Sequence, residues 1–250
     1  GYSVNFSSET LARAINNTLF ATSTDELRPA MTGVYRNLSE TNATFVATDS
    51  HRLIRYRRVD IASDMKHTMI IPRKALTLLR ATIPAEITNV NLEFNASNAF
   101  FSFNNVKMIC RLIDERFPDY ENVIPVDNQN VMVINRQEFL SSLKRISIYA
   151  NKTTHQVRLK ITGSELMISA EDLDFSNEAN ERLACEHNGA DIEIGFNAKF
   201  LVEMLGNMEG KEIKLQLSAP NKAGIIVPTE AEENEDVLML IMPVMLSSQV

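Results

Sequence analysis

Apolar and polar positions along the chain change period at regular intervals. Short apolar runs lead into stretches where apolar residues recur every three to four positions, and the pattern then returns to period two. Val4-Asn5-Phe6 precedes Ser7, whose hydroxyl suits a helix N-cap, and Leu11, Ile15 and Leu19 then share one helical face. Met69-Ile70-Ile71 leads to Pro72, suited to the first helical turn, with Leu76, Leu79 and Ile83 as the stripe and Pro84 as the stop. Val131 to Ile134 leads to Asn135 with Glu138 three residues on, close to a capping box, and Phe139, Leu143 and Ile146 follow. Ile192 to Phe196 leads to Asn197, then Phe200, Leu201, Met204, Leu205 and Met208. Four short strands each running into an amphipathic helix are expected.

The four helix starts, Ser7, Ile71, Asn135 and Asn197, are separated by 64, 64 and 62 residues. Between them the chain has turn chemistry at hairpin spacing. Turns are expected at Ser39–Asn42, Asn95–Asn98, Thr162–Ser164 and Ala219–Lys222. A third strand follows each hairpin, at Leu53–Val59, Lys107–Leu112, Asn180–Ala184 and Val237–Met242. The repeating unit is strand, helix, strand, strand, strand. One such unit is too small to bury a sufficient core, so two pair into a domain. The expected fold is α+β and sheet-rich. Two similar domains are expected, 1–125 and 126–250, with the junction in the Pro- and Asp-containing stretch Phe117 to Asn130.

Composition narrows the class. Hydrophobic residues make up 44% and charged residues 23%, as in an ordinary globular protein, and 8 Gly with 8 Pro leave no room for a linker-dominated chain. Two cysteines, Cys110 and Cys185, make no disulfide framework, which points to a reducing compartment and a cytoplasmic protein. No apolar run reaches the length of a membrane span, and no membrane partner is expected. Residues 1–125 hold 14 Lys/Arg and 13 Asp/Glu; residues 126–250 hold 11 and 19, and the whole carries a net charge of −7. That balance argues against tight nucleic-acid binding driven by overall charge, though not against a locally basic face.

Catalytic chemistry is hard to find. Thr48-Asp49-Ser50-His51-Arg52 contains the residue types of an acyl-transfer triad, but neighbours in an extended segment point to opposite faces. No catalytic residue is assigned; a hydrolase using Asp49, Ser50 or His51 stands as the alternative from another class. The four histidines show no metal-ligand spacing, and neither a P-loop nor a dinucleotide fingerprint is present, so no metal and no cofactor are expected. Basic residues recur on the expected helices: Arg13, Arg73, Lys74, Arg80, Lys144, Arg145 and Lys199. Repeated units present their helices to one side, which makes that side locally basic. The apolar run Leu238 to Leu246 is explained to Met242 by a buried last strand. Beyond it, Pro243 cannot donate to a ladder, and an apolar lip there reads as a partner groove.

Several stretches, in order and spanning almost the whole chain, resemble the bacterial beta sliding clamps, the processivity subunits of DNA polymerase III. They are Val46-Ala47-Thr48-Asp49-Ser50-His51-Arg52-Leu53, Ile71-Pro72-Arg73-Lys74, Arg116-Phe117-Pro118-Asp119-Tyr120 running on to Val123-Ile124-Pro125, Val157-Arg158-Leu159, Ile194-Gly195-Phe196-Asn197 and Met242-Pro243-Val244-Met245-Leu246. The resemblance implies tandem clamp domains with helices on one face and sheets on the other, in a ring around duplex DNA. It covers the family's second and third domains. A chain without the first domain is expected not to close the homodimeric ring by itself, and Ile148 and Tyr149 resemble the third-domain side of the ring interface. The two-domain trimeric clamp of eukaryotes and archaea is the alternative within the class.

The resemblance also implies a hydrophobic pocket between the second and third domains that receives a short linear peptide. Its walls would be Arg28, Met31, Thr48, Ser50, His51, Arg52, Leu53 and Pro125, and on the far side Gly224, Leu240, Ile241, Met242, Pro243, Val244, Met245 and Leu246. The partners implied are duplex DNA, held topologically and without regard to sequence, the polymerase III alpha subunit, the clamp loader and other proteins carrying clamp-binding motifs. The location implied is the cytoplasm, at the nucleoid. Ser50 stands where the family usually has Gly, Met245 where an Arg is frequent, and four residues follow Leu246.

Overall fold

A computed structural model describes residues 1–247. The chain divides into two compact units. The first is Gly1–Tyr120 with Glu232–Val237; the second is Glu121–Ala231 with the chain from Leu238 onward.

The first unit contains β1 (Tyr2–Ser7), α1 (Ser8–Thr18), β2 (Gly33–Leu38), β3 (Ala43–Thr48), β4 (Arg52–Arg58), β5 (His67–Pro72), α2 (Arg73–Thr82), β6 (Asn89–Phe94), β7 (Asn98–Phe103) and β8 (Val106–Arg111). The second contains β9 (Asn130–Asn135), α3 (Arg136–Ser147), β10 (Gln156–Thr162), β11 (Glu165–Asp172), β12 (Asn177–Ala184), β13 (Glu186–Asn188), β14 (Ile192–Asn197), α4 (Ala198–Gly206), β15 (Glu212–Leu217) and β16 (Gly224–Pro228). The last strand, β17 (Glu235–Ile241), starts in residues that pack with the first unit and ends in the second. The order strand, helix, three strands occurs four times, as the periodicity predicts. The short β13 is an addition it did not predict.

Within each unit the two repeats exchange their first strands. In the first, the sheet orders are β1-β6-β7-β8 and β4-β3-β2-β5. Val4 of β1 lies opposite Leu92 of β6, and Ile71 of β5 opposite Val34 of β2. In the second, the orders are β12-β11-β10-β14 and β13-β9-β15-β16-β17, with Ile194 of β14 opposite Leu159 and Ile134 of β9 opposite Ile213. A repeat alone would leave one sheet without its edge strand and expose half its core. This is why the pair, and not the single repeat, is the stable unit.

Capping is local and follows the sequence. Ser7 accepts a hydrogen bond from the Thr10 amide, Asn135 from Glu138, and Asn197 from Lys199 and Phe200. Pro72 departs from expectation by one residue: it is the extended N-cap of α2, and the helix begins at Arg73. Leu11, Ala14 and Ile15 of α1 and Phe139, Leu143 and Ile146 of α3 are buried, and these helices pack on β3 and β4 and on β11 and β12 of their own units. Each buried Leu, Ile or Phe side chain contributes about 1.5–3 kcal/mol.

Candidate functional site

The β3–β4 turn of the first unit is held by several polar bonds. Asp49 Oδ1 accepts from the backbone amides of His51 and Arg52 at 3.0 Å, and Asp49 Oδ2 accepts from Arg52 Nε at 3.2 Å. Thr48 Oγ1 donates to the Arg52 carbonyl at 2.7 Å. The buried Arg52 guanidinium donates to the Phe20 carbonyl at 3.0 Å and lies 5.3 Å from the Phe20 ring centre. Ser50 sits at the apex with φ +73°, the left-handed region where a side chain is disfavoured. That explains why glycine would suit this position, a point invisible in the residue pattern. Arg28, from the loop before β2, donates to Ser50 Oγ at 2.8 Å, so the serine ties the loop to the turn. Met31 is half-buried on that loop, and its carbonyl accepts from the Ser23 amide at 2.8 Å. Leu53 is buried beneath, while Ser50 and His51 are exposed.

The polar groups of Asp49 and Ser50 serve the turn itself. The Asp49 carboxylate is engaged by the turn amides and Arg52, and the Ser50 hydroxyl donates to the Asp49 carbonyl. Among the described residues no three His, Cys, Asp or Glu side chains converge as metal ligands.

In the second unit the chain beyond β17 is pinned beside β14. The Val244 amide donates to the Gly195 carbonyl at 2.8 Å. Gly195 is required there: a Cβ would lie 2.4 Å from the Val244 carbonyl oxygen and 2.8 Å from Leu246 Cδ2. The side chains of the terminal run then divide. Leu240, Ile241 and Leu246 are buried, so these three members of the expected pocket wall support the segment from within. Met242 and Met245 are 44% and 43% exposed, with Pro243 and Val244 intermediate. Gly224 permits close approach, since a Cβ would meet Leu217 and Phe196 at 3.1 and 3.2 Å, and Pro125 is half-buried.

The helix cations also divide. Arg13 is no free cation: both arms of its guanidinium grip the buried Glu235 carboxylate, Nη2 at 2.8 Å. Tyr56 donates to the same carboxylate at 2.6 Å and Arg58 lies 3.5 Å away. Burial pushes the Glu235 carboxyl up, but the hydrogen bonds and charges of Arg13, Tyr56 and Arg58 outweigh it and hold the pKa below the usual range. Burial, and then Glu235, push the Tyr56 phenol well up. Arg145 pairs with Glu181 at 2.7 Å. Arg73, Lys74, Arg80, Lys144 and Lys199 are exposed and carry no ion pair among the described residues. Ile148 and Tyr149, just past α3, are 64% and 41% exposed.

The comparisons with known proteins agree along the chain. The pattern of the DNA polymerase III beta subunit central domain matches residues 5–119, and that of its C-terminal domain residues 121–245. The chain is 28% identical to the beta sliding clamp of Bacillus subtilis over 246 residues, covering 97% of this chain and 64% of that protein. It is 28% identical to the beta sliding clamp of Pseudomonas aeruginosa, covering 98% and 66%. Its backbone matches the crystal structure of a DnaN sliding clamp from Bartonella birtlesii bound to griselimycin with a TM-score of 0.91 at 30% identity, covering 98% of this chain and 66% of that one. It matches a DNA polymerase sliding clamp from Pseudomonas aeruginosa with a TM-score of 0.93 at 26% identity, covering 98% and 67%. The chain thus spans about two thirds of the length of the curated relatives it matches. Its two units, in order, carry the central and C-terminal domain patterns, and the chain belongs to the DNA polymerase III beta subunit family.

Proposed function

We propose that the chain acts as part of a sliding clamp, a processivity factor that encircles duplex DNA and holds the replicative polymerase to it. The observation that carries this reading is the match of two successive clamp domains, over residues 5–119 and 121–245. The role is mechanical. Topology retains the DNA, so phosphate contacts are few and weakened by salt, in keeping with the net charge of −7. Catalysis is not part of the role, and the bonds of the Thr48–Arg52 turn favour a rigid recognition loop over a nucleophile.

Partner capture is assigned to two groups of residues, each on its own unit. On the first unit these are Arg28, Met31 and the turn residues Thr48 to Leu53. On the second they are Met242, Pro243, Val244 and Met245, supported by Gly224, Leu240, Ile241 and Leu246, together with Pro125 as the family resemblance implies. Exposed methionines on a pinned backbone suit varied apolar peptide side chains, because the thioether is polarizable and unbranched. One or two apolar anchors at about 1.5–3 kcal/mol each, less association costs, give weak and exchangeable binding. Effective concentration on one DNA molecule supplies the remainder. Ile148 and Tyr149 are proposed as apolar contacts in ring closure.

The test is titration of a fluorescent Gln-x-x-Leu-Phe peptide against the chain, with Met242→Ala, Met245→Ala and His51→Ala alongside. Saturable binding, weakened roughly tenfold by truncation of a methionine that a bound peptide would cover, is expected. Absence of binding at high micromolar protein overturns the peptide assignment.

A further inference from the structure

In the first unit, the loop between α1 and β2 and the helix α2 enclose a cleft of about 790 Å³, within the range of about 300–1,000 Å³ usual for small-molecule sites. Its helix wall is a stripe of α2 that the core does not use. Leu76 and Leu79 are buried, whereas Lys74, Thr77, Leu78 and Ala81 recur at helical spacing on another face and are exposed. Leu78, 56% exposed, leaves an aliphatic side chain open beside the cleft, and Pro29 faces the same space from the loop. The threonines of the lining add mostly carbon. Thr77 Oγ1 donates to the Arg73 carbonyl at 2.9 Å and Thr32 Oγ1 to the Pro29 carbonyl at 2.7 Å, so both hydroxyls are bonded to their own backbone.

Charge is gathered at one end of this cleft. Arg73 and Lys74 line it at the start of α2 and make no ion pair among the described residues. α2 has no side-chain cap at Pro72 and no acid in its first turn, so the positive end of the helix reinforces the two cations. Glu26, on the loop, is the one carboxylate of the lining among the described residues, which leaves the cleft with a net positive charge. The second unit offers no counterpart. The space beside α4 is about 340 Å³ and basic, with Lys144, Lys152, His155 and Lys199 in its walls and Val202 as its apolar member.

The loop behaves as a single body. The Ser23 amide donates to the Met31 carbonyl at 2.8 Å and closes its ends, while the Arg28 and Met31 amides bond to the Asp25 and Arg28 carbonyls within it. Pro29 and Thr32, which line the cleft, are therefore tied to Met31 and to Arg28, whose guanidinium reaches Ser50 Oγ at 2.8 Å.

We propose that this cleft binds a small amphipathic anion, its aliphatic or aromatic body against Pro29, Leu78 and Ala81 and its charged head at Arg73 and Lys74, and that its occupancy steadies the loop carrying Arg28 and Met31. An apolar body is favoured because Leu78 and Ala81 lose water on contact with it. An anionic head is favoured because the two cations lack counter-ions and Glu26 alone opposes it. An occupant wedged between loop and helix limits the movement of the loop. Arg28 and Met31 are then in place before a peptide arrives, and affinity for the peptide rises. This second effect rests on the reading of Arg28 and Met31 as peptide-capture residues; the site itself does not.

The experiment is fluorescence titration of anilinonaphthalene sulfonate against the chain, with phenylnaphthylamine, the same ring system without the sulfonate, alongside. Leu78→Asp puts a carboxylate into the aliphatic wall at an exposed position, and Arg73→Ala/Lys74→Ala removes the cations; circular dichroism is the folding control. The sulfonate probe is expected to bind saturably, and about tenfold more weakly to Leu78→Asp. Loss of the two cations should weaken the sulfonate probe several-fold and leave the neutral one unchanged. With the sulfonate probe at saturation, the Gln-x-x-Leu-Phe peptide should bind about fivefold more tightly. Unaltered binding of the probe to Leu78→Asp, or its loss from Met242→Ala/Met245→Ala instead, overturns the cleft. Equal effects on the two probes overturn the anionic occupant. A peptide affinity indifferent to the probe overturns the coupling to the loop. No peptide binding with or without the probe overturns the capture reading, and the Leu78 comparison still decides the cleft.

Discussion

In the first unit three ionised side chains, Arg36, Arg52 and Glu235, lie buried, whereas in the second the buried charge among the described residues is Asp172. The ion pairs of the second unit are exposed or half-buried, Arg145 with Glu181, Arg182 with Glu165, and Arg158 and Lys160 with Glu193. The two units share an order of elements and the same exchange of first strands, so architecture does not account for the contrast. Its consequence is that the balance of charged residues along the chain misleads. Residues 1–125 hold 14 Lys/Arg, yet Arg13, Arg52, Arg55 and Arg58 are engaged by carboxylates within the first unit. Residues 126–250 hold 19 Asp/Glu against 11 Lys/Arg, and still present a cleft of unpaired lysines. What a partner meets is the charge left over after internal pairing.

The contrast should break most sharply at Glu235. Glu235→Gln removes the anion that Arg13 and Arg58 face in a buried place, and is expected to cost about 3 kcal/mol or more. The loss should appear in denaturant unfolding and in hydrogen exchange of α1 and β4. Arg145→Ala, which breaks an exposed pair of the second unit, should leave unfolding unchanged within error. Next in size is Gly195→Ala. Its Cβ would press on the Val244 carbonyl and Leu246, so a loss of about 1–3 kcal/mol is expected, with weaker peptide binding as the terminal segment is displaced.

Arg36 sharpens the comparison in the opposite direction. Its guanidinium is buried against the Phe94 ring, 4.8 Å from the centroid, and bonds to His67 Nδ1 at 3.1 Å. Its Nε and Nη1 find no hydrogen-bond partner among the described residues. Burial lowers its pKa to about 10, so it remains charged at neutral pH. Arg36→Met keeps the volume and removes the desolvated charge; a gain of about 1 kcal/mol is expected in thermal or denaturant unfolding.

The smallest effect is in pH. Burial first, then the Arg36 charge, lowers the His67 pKa below its ordinary 6.5. The unfolded chain therefore takes up that proton more readily, so the stability His67 contributes is present above pH 6.5 and is lost as pH falls through the lowered value. Glu235, also lowered, contributes stability above its ordinary 4.5 that is lost as pH falls further. Hydrogen exchange on mild acidification should loosen the first unit ahead of the second, and Arg36→Met should shrink the His67 part of that difference.

Much of the architecture was legible in the chain because its signals are local. Ser7, Asn135 and Asn197 cap helices where side-chain chemistry says they should, and turns at Ser39–Asn42 and Asn95–Asn98 close antiparallel hairpins where they were expected. The repeat of 64, 64 and 62 residues follows from those same signals. The peptide-site residues were legible through family resemblance, but not how they divide between exposed and supporting roles. Leu246 and Met245 are adjacent apolar residues, and one is buried against Gly195 while the other is exposed; only the bridge to β14 distinguishes them.

The four strand-to-helix starts, the fourfold repeat and the need for repeats to pair are written into the residues alone, because caps, turns and hydrophobic period act over a few residues. The tertiary structure decided which strands are exchanged, which cations are neutralised, and which remain to meet a partner. Those outcomes depend on residues far apart in the chain, as when Glu235 meets Arg13 across 222 positions, and on the burial that makes such meetings count.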